Sequence, residues 1–150
     1  GVGVTPAASV VAAALDGAGG RLMAKRTYVV WSFRSLPLFE RVEPYFRQLP
    51  EKCCHFHHTG QPKQQRVTSP AAFEEDAVHT FKAGRPKIPE ILQDICTRHL
   101  PEGLTDIGVF VCGPDPLVKD VMKSANAINA LKTGELAPCY VHVHSESFQM

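Results

Sequence analysis

The sequence lacks a charge imbalance and lacks a long run of apolar residues. Its 16 basic and 15 acidic side chains leave a formal net charge of +1, which argues against a broad nucleic-acid surface or an anionic membrane patch. No apolar run approaches the roughly 20 residues that a membrane-spanning helix requires. The amino-terminal stretch is small and apolar, but no basic segment precedes it, so we do not interpret it as a signal peptide.

Signatures of nucleophilic catalysis and of a disulfide framework are absent as well. The sequence contains neither a Ser-His-Asp pattern nor a nucleophile elbow. The cysteines number five, which is odd, and they favour a reducing, cytosolic environment. What is present is the ordinary composition of an α/β protein, with 44% apolar and 21% charged residues. The length of 150 residues suits one domain.

Short apolar runs alternate with helical patterns along the chain. Runs of β-branched and aromatic residues predict buried strands, and apolar residues at helical spacing predict the helices between them. The predicted strands are 27–33, 53–58, 107–112 and 140–143. The predicted helices are 7–15, 36–49, 88–100 and 117–131, and the polar stretch 61–76 is predicted as a surface loop. This alternation predicts a doubly wound, mostly parallel sheet of about five strands, one of them expected before Gly1.

The first six residues have the composition of a phosphate-binding turn. Gly1, Gly3 and Val4 precede Thr5, a good helix N-cap, and Pro6, a good first helical residue. A helix that begins there presents free backbone N–H groups and the positive end of its dipole. Such a turn normally follows a buried strand, so we expect the chain to be a fragment whose first strand is truncated. The alternative is an ordinary turn, because the third glycine of the G-x-G-x-x-G fingerprint is missing.

Ligands of parallel α/β sheets bind at the carboxyl ends of the strands. Arg34 and Ser35 follow directly after the predicted strand 27–33. In doubly wound folds this position reads the ribose 2′ group of a dinucleotide, and an arginine there accommodates the 2′-phosphate of NADP. The alternative interpretation is an arginine that projects into solvent at the end of a strand.

Cys112, Gly113 and Pro114 end the most apolar predicted strand, 107–112. A thiol at the carboxyl end of a strand can lie against a flat ring, and a glycine beside it lets the backbone approach closely. The alternative interpretation is a buried cysteine that packs as a small hydrophobic residue.

The stretch 53–58, with the sequence CCHFHH, raises the question of a zinc site. Adjacent cysteines are poorly spaced for one tetrahedral centre, and no C-x-x-C partner occurs elsewhere in the sequence. We therefore predict no metal. A non-catalytic metal-binding or interaction module stays as an alternative function.

Five segments in this order resemble the C-terminal NAD(P)H-binding domain of the ferric reductase and NADPH oxidase superfamily, which is related to ferredoxin–NADP reductases. The segments are GVGVTP at 1–6, YVVW at 28–31 with Arg34, GRP at 84–86, IGVFVCGP at 107–114 and HSESF at 144–148. Together they span nearly the whole chain. The resemblance implies a Rossmann-like fold and an NAD(P)H-binding domain over 1–150.

The resemblance also implies a role for each segment. The turn at 1–6 would hold the pyrophosphate. The 2′-phosphate would be held by Arg34, its neighbour Ser35 and Arg85. The segment from Cys112 to Pro114 would border the nicotinamide, and Phe148 would cover the flavin ring as the terminal aromatic. Cys112 and Phe148 are therefore the residues predicted to act in catalysis.

The implied activity is that of a membrane flavohaem oxidoreductase. NADPH would give a hydride to FAD held by an upstream domain, and electrons would pass through haem in a membrane domain to ferric iron or dioxygen. The partners would be NADPH and the upstream flavin-binding domain, with no nucleic acid. This segment would lie, soluble, on the cytoplasmic face of a membrane. The final acceptor stays open, and a soluble flavin reductase of the ferredoxin reductase type is an alternative.

Overall fold

The computed structural model describes residues 4–16, 24–60 and 79–146, and the chain divides into two compact units between Pro86 and Lys87. The elements of the first unit are α1 (Val4–Asp16), β1 (Val29–Phe33), α2 (Leu36–Val42), β2 (Cys54–His58) and β3 (Phe81–Ala83). Those of the second unit are α3 (Ile88–His99), β4 (Asp106–Cys112), α4 (Asp115–Asn129) and β5 (Tyr140–Glu146).

All strand pairs in the described residues are parallel. In the first unit the strand order is β1-β2-β3, and in the second unit β4 pairs with β5. The register aligns the last residues of the strands: Phe33 lies opposite His58 and His58 opposite Ala83, while Cys112 lies opposite Glu146. The predicted α/β class with parallel strands is confirmed.

Aromatic side chains form the core of the first unit. Phe33, Phe46 and Phe56 are almost completely buried. The rings of Phe33 and Phe39 stack with centroids 4.6 Å apart, which joins helix α2 to strand β1. Trp31 packs edge-on against Phe56 of the neighbouring strand. Aromatic pairs in such geometries add stability beyond the area they bury, so the cluster holds α2 against β1 and β2.

A buried charge network supports the region before β3. The Glu43 carboxylate, 2% exposed, lies 2.7 Å from His79 Nδ1 and 3.0 Å from Arg47 Nε. The other ring nitrogen of His79 donates to the Leu49 carbonyl oxygen at 3.1 Å. A buried carboxylate is costly unless it is paired and hydrogen-bonded, and both conditions are met here. The network ties the entry to β3 to the segment that follows α2.

The second unit packs α3 and α4 on the β4–β5 pair. Its core is the apolar cluster of Ile88, Leu92, Cys96, Val111, Val121, Ala125, Ile128, Cys139 and Val141. Asn129 is the last residue of α4, and its side-chain amide pairs with both backbone groups of Val141 on β5, as a neighbouring strand would. Its Nδ2 donates to the Val141 carbonyl oxygen at 2.9 Å, and the Val141 N–H donates back to its Oδ1 at 2.7 Å. The two bonds fix the end of α4 on β5.

Helix α1 corrects one predicted boundary. We expected Thr5 as the N-cap, but the helix already includes Val4. The Val4 side chain is 6% exposed in the core of the unit, and Ser9 Oγ donates to the Thr5 carbonyl at 3.3 Å, one helical turn away. This packing keeps the first turn helical through Thr5.

The second predicted helix, 36–49, is wrong in its extent. Helix α2 ends at Val42, and Glu43–Phe46 forms a 3₁₀ helix instead. Pro44 explains the change, because it has no N–H to donate and its ring collides with the carbonyl of the preceding helical turn. The helices predicted at 88–100 and 117–131 and the four predicted strands are present, with ends shifted by a few residues.

Strand β3 was not predicted. It is only three residues long, and its sequence, Phe-Lys-Ala, carries too little periodicity to indicate a strand. Its pairing with β2 and its buried anchor at His79 form it instead. The loop predicted at 61–76 lies outside the described residues, and the strand expected before Gly1 stays a prediction.

Candidate functional site

The carboxyl ends of β1, β2 and β3 form one edge of the first unit. Phe33, His58 and Ala83 stand in register there. Arg34 follows the first of these residues directly, and Arg85 follows the last after one glycine. Neighbouring strands lie about 4.8 Å apart, so the two arginines start about 10 Å from each other on one edge. That spacing lets two long side chains reach a single anion.

The backbone at Arg34 is held by the end of β2. The Thr59 N–H and Oγ1 both donate to the Phe33 carbonyl oxygen, at 2.8 and 3.2 Å. His58 Nε2 lies 3.1 Å from the Arg34 carbonyl oxygen, and because a carbonyl only accepts, this nitrogen carries the proton. Gly60 packs directly against the same carbonyl.

The guanidinium groups of Arg34 and Arg85 are exposed. Neither forms an ion pair or a side-chain hydrogen bond with any residue in the described ranges. An arginine presents a planar fork of donors that matches a phosphate in a bidentate way. Both side chains are therefore available for an anionic ligand.

Ser35 has a structural task at this edge. It is the N-cap of α2, and its Oγ accepts from the Leu38 N–H at 3.4 Å. A hydroxyl that accepts one bond still has its own proton to donate. Ser35 therefore fixes the direction in which α2 leaves Arg34 and keeps one donor for a ligand.

The amino end of α1 carries no acidic side chain in its first turn. Thr5 is exposed, Pro6 is half-buried and Val4 is in the core. The first N–H groups of a helix have no partner within the helix, and the dipole there favours an anion. The predicted contacts of Gly1 and Gly3 lie outside the described residues.

The carboxyl end of β4 forms the candidate edge of the second unit. Pro114 precedes α4, and its carbonyl oxygen accepts from the Leu117 and Val118 N–H groups at 2.9 and 3.3 Å. A Cβ on Gly113 would meet Leu117 Cδ2 at 2.8 Å, so this glycine makes room for the Leu117 side chain. Phe148, the other predicted catalytic residue, lies outside the described residues.

The Cys112 thiol is half-buried at the end of β4. Burial raises its pKa above the ordinary value, and the nearby Glu146 carboxylate raises it further. The thiol is therefore protonated at neutral pH. A protonated thiol is a poor nucleophile, which separates Cys112 from cysteines that act through a thiolate.

The side chains of β2 alternate between the two faces of its sheet, as those of any strand do. Consequently His57 and His58 point to opposite faces. Burial and neighbouring groups, Cys53 first, raise the pKa of Cys54 to about 12, so its thiolate does not form under ordinary conditions. Among the residues that the structure describes, no group of three or more potential ligands could hold a metal ion.

Sequence reasoning missed the support around Arg34. In the sequence, His58 ends the predicted strand 53–58 and belongs to the stretch considered for zinc, and neither feature predicts a role for His58, Thr59 or Gly60 beside Arg34. The signal was present, because the ends of neighbouring parallel strands meet at one edge. The register needed to bring His58 beside Arg34 comes only from the pairing of β1 with β2.

Comparison with known proteins identifies the class. Residues 1–126 match the family described as the ferric reductase NAD binding domain, and the chain belongs to that family. The two parallel sheets fit the Rossmann-like fold of NAD-binding proteins. Phe148 lies beyond the matched residues.

The chain is also similar to the protein named Dual oxidase of Drosophila melanogaster. The two are 29% identical over 174 aligned positions, which cover 99% of this chain and 11% of the relative. The chain therefore spans about a tenth of the length of this relative. No solved structure matches the chain. Within the described ranges, none of the helices has the length and apolar character needed to cross a bilayer.

Proposed function

We propose that this chain is the NADPH-binding part of a longer membrane flavohaem oxidoreductase. Membership of the ferric reductase NAD-binding family supports the nicotinamide nucleotide. The observation that favours NADPH over NADH is the pair of exposed guanidinium groups, Arg34 and Arg85, at one edge of a parallel sheet. When bound, NADPH would supply a hydride for FAD held by the upstream domain, and haem in the membrane domain would carry the electrons to ferric iron or dioxygen.

Each part of the nucleotide has residues of suitable chemistry in the chain. Arg34 and Arg85 would bind the 2′-phosphate through charge-assisted hydrogen bonds, with Ser35 as a further donor. The amino end of α1, with Val4, Thr5 and Pro6, would face the pyrophosphate, together with Gly1 and Gly3.

The nicotinamide would lie against Cys112, Gly113 and Pro114. The raised pKa keeps Cys112 as a neutral thiol, so no thiolate forms beside the reactive ring. Phe148 would cover the flavin ring. Placement of donor and acceptor is the main contribution of such a domain to hydride transfer, and the transfer requires no general acid or base from it.

The final acceptor separates two versions of this function. The family is named for ferric reductases, whereas the similar Drosophila protein is named as an oxidase. Both versions need the same reduced nucleotide at this domain. We propose the shared function, with the domain on the cytoplasmic side of the membrane and the upstream flavin-binding domain of the same polypeptide as its partner.

The experiment that tests the proposal measures cofactor selectivity in the complete polypeptide. Arg34→Ala should raise the KM for NADPH by roughly tenfold to a hundredfold, because a charge-assisted bond contributes about 1.5–3 kcal/mol and ~1.4 kcal/mol is tenfold. The KM for NADH should stay near its parent value, since NADH has no 2′-phosphate.

A matched control is Arg98→Ala. Arg98 is exposed on α3 and pairs with Asp94, so it should leave both KM values unchanged. Equal increases for NADPH and NADH in Arg34→Ala would contradict the phosphate contact and leave Arg34 with a structural role alone.

A further inference from the structure

We infer that His58 is a positioning residue for cofactor selection, acting through the backbone of Arg34. The inference rests on the proposed function, because it concerns how Arg34 is presented to the 2′-phosphate. His58 is the last residue of β2, and its imidazole reaches across to the carbonyl oxygen of the residue that follows β1.

The surroundings of His58 show why its N–H group matters. The side chain is 6% exposed, and its ring packs 5.2 Å from Phe33 and 5.8 Å from Phe81. A phenylalanine ring would fill this space with the same packing. Within the described ranges, the polar contact of the ring is the one to the Arg34 carbonyl. The imidazole is therefore placed among aromatic rings for a hydrogen bond that an apolar ring cannot make.

The bond is part of a clamp on two consecutive peptide groups. Thr59 holds the Phe33 carbonyl with two donors, His58 holds the Arg34 carbonyl, and Gly60 packs against that second carbonyl. The peptide groups on either side of the Arg34 Cα are thus fixed, which sets the direction of its Cα–Cβ bond. The guanidinium lies at the end of a flexible side chain, so a fixed starting point reduces the freedom lost on binding phosphate.

The decisive variant is His58→Phe in the complete polypeptide, which keeps the ring and removes the donor. Losing one neutral hydrogen bond predicts an increase of about threefold to tenfold in the KM for NADPH. The KM for NADH and the kcat with either cofactor should stay at the parent values. His58→Gln, which restores an N–H donor, should return selectivity toward that of the parent.

A double variant separates positioning from a general structural effect. In the Arg34→Ala background, His58→Phe should cause no further change in the ratio of the two KM values, because the residue it positions is gone. His142→Phe, an exposed histidine on β5, is the control for the change of side chain and should leave the ratio unchanged.

Each result of the experiment decides the inference. Equal increases in both KM values in His58→Phe would overturn the inference while leaving the proposed function intact. So would a change of the KM ratio in the Arg34→Ala background as large as the change that His58→Phe causes in the parent. An unchanged ratio in Arg34→Ala itself would overturn the proposed function and this inference with it. If His58→Phe does not fold, His58→Leu removes the same donor with a smaller apolar side chain, and the same comparison of KM values applies to it.

Discussion

Gly60 lies so close to Arg34 that a Cβ on the glycine would stand 2.4 Å from the Arg34 carbonyl oxygen. The carbonyl belongs to the backbone, so it cannot turn aside as a long side chain could. The same oxygen accepts the hydrogen bond of His58. A glycine at this position therefore lets the ends of β1 and β2 approach closely enough to hold Arg34.

Gly60→Ala should destabilise the protein and also reduce NADPH selectivity. Overpacking of this kind costs about 1–3 kcal/mol, and relief of the clash requires a shift of the Arg34 backbone. We expect a lower urea midpoint and a rise in the KM for NADPH that exceeds the rise for NADH.

The control for this prediction is Gly108→Ala. Gly108 is exposed in β4, and a Cβ there would meet nothing within 4 Å. Stability and both KM values should therefore stay near those of the parent. A Gly60→Ala variant that also matches the parent in all three measurements would show that the close approach has no functional consequence.

Long periodic segments of this chain could be predicted from sequence, and contacts between segments could not. The pattern in 107–112 predicted β4, and the strand observed is Asp106–Cys112. Strand β3 could not be predicted, because three residues are too few to show the alternation of a strand, and its formation depends on the partner strand β2. Helix α2 was predicted too long because the apolar spacing beyond Val42 was given more weight than Pro44.

The candidate site likewise contains residues that the sequence could identify and contacts that it could not. Arg34 and Cys112 could be selected from sequence, because each stands at the end of an apolar run and such ends carry ligands in parallel sheets. His58 could not be connected with Arg34, since 24 positions separate them and only the register of β1 and β2 joins them. The buried pair of Glu43 and His79, 36 positions apart, was equally out of reach.

His57 makes stability depend on pH. Burial lowers the pKa of His57 below the ordinary value of 6.5, and the positive charge of Lys82 is the second cause. The imidazole of His57 is therefore neutral in the folded protein. The unfolded chain then binds more protons at acidic pH. The free energy of unfolding therefore keeps its full value above pH 6.5 and decreases as the pH falls below that value.

We therefore expect the urea midpoint of unfolding to decrease as the pH is lowered from about 8 to about 5. His57→Gln should reduce this acidic decline, because the titrating group is removed. Gln93→Ala is the control, since Gln93 is exposed on α3 and does not titrate, and it should keep the parent profile. A His57→Gln profile that falls as steeply as the parent's would assign the pH dependence to other groups.

The raised pKa of Cys112 predicts slow alkylation of its thiol. Iodoacetamide reacts with the thiolate, so peptide-resolved labelling of the folded protein should be slower at Cys112 than in the unfolded chain. Glu146→Gln should speed the reaction, because loss of the negative charge lowers the pKa. The rate should remain below that of the unfolded chain, since burial is the larger cause.

Glu135→Gln provides the matched control for labelling. Glu135 is exposed in the turn before β5 and is not among the causes of the Cys112 shift, so its loss should not change the rate. Labelling of Cys112 in the folded parent at the rate of the unfolded chain would contradict the account of a neutral, partly buried thiol.

Binding of the NADPH 2′-phosphate at the carboxyl edge of β1–β3 is the claim on which the functional account depends. A crystal structure of the complete polypeptide with NADP⁺ tests it most directly. The account predicts the 2′-phosphate within hydrogen-bonding distance of the Arg34 guanidinium, with Arg85 on the same phosphate. A bound nucleotide whose 2′-phosphate contacts neither arginine would contradict it.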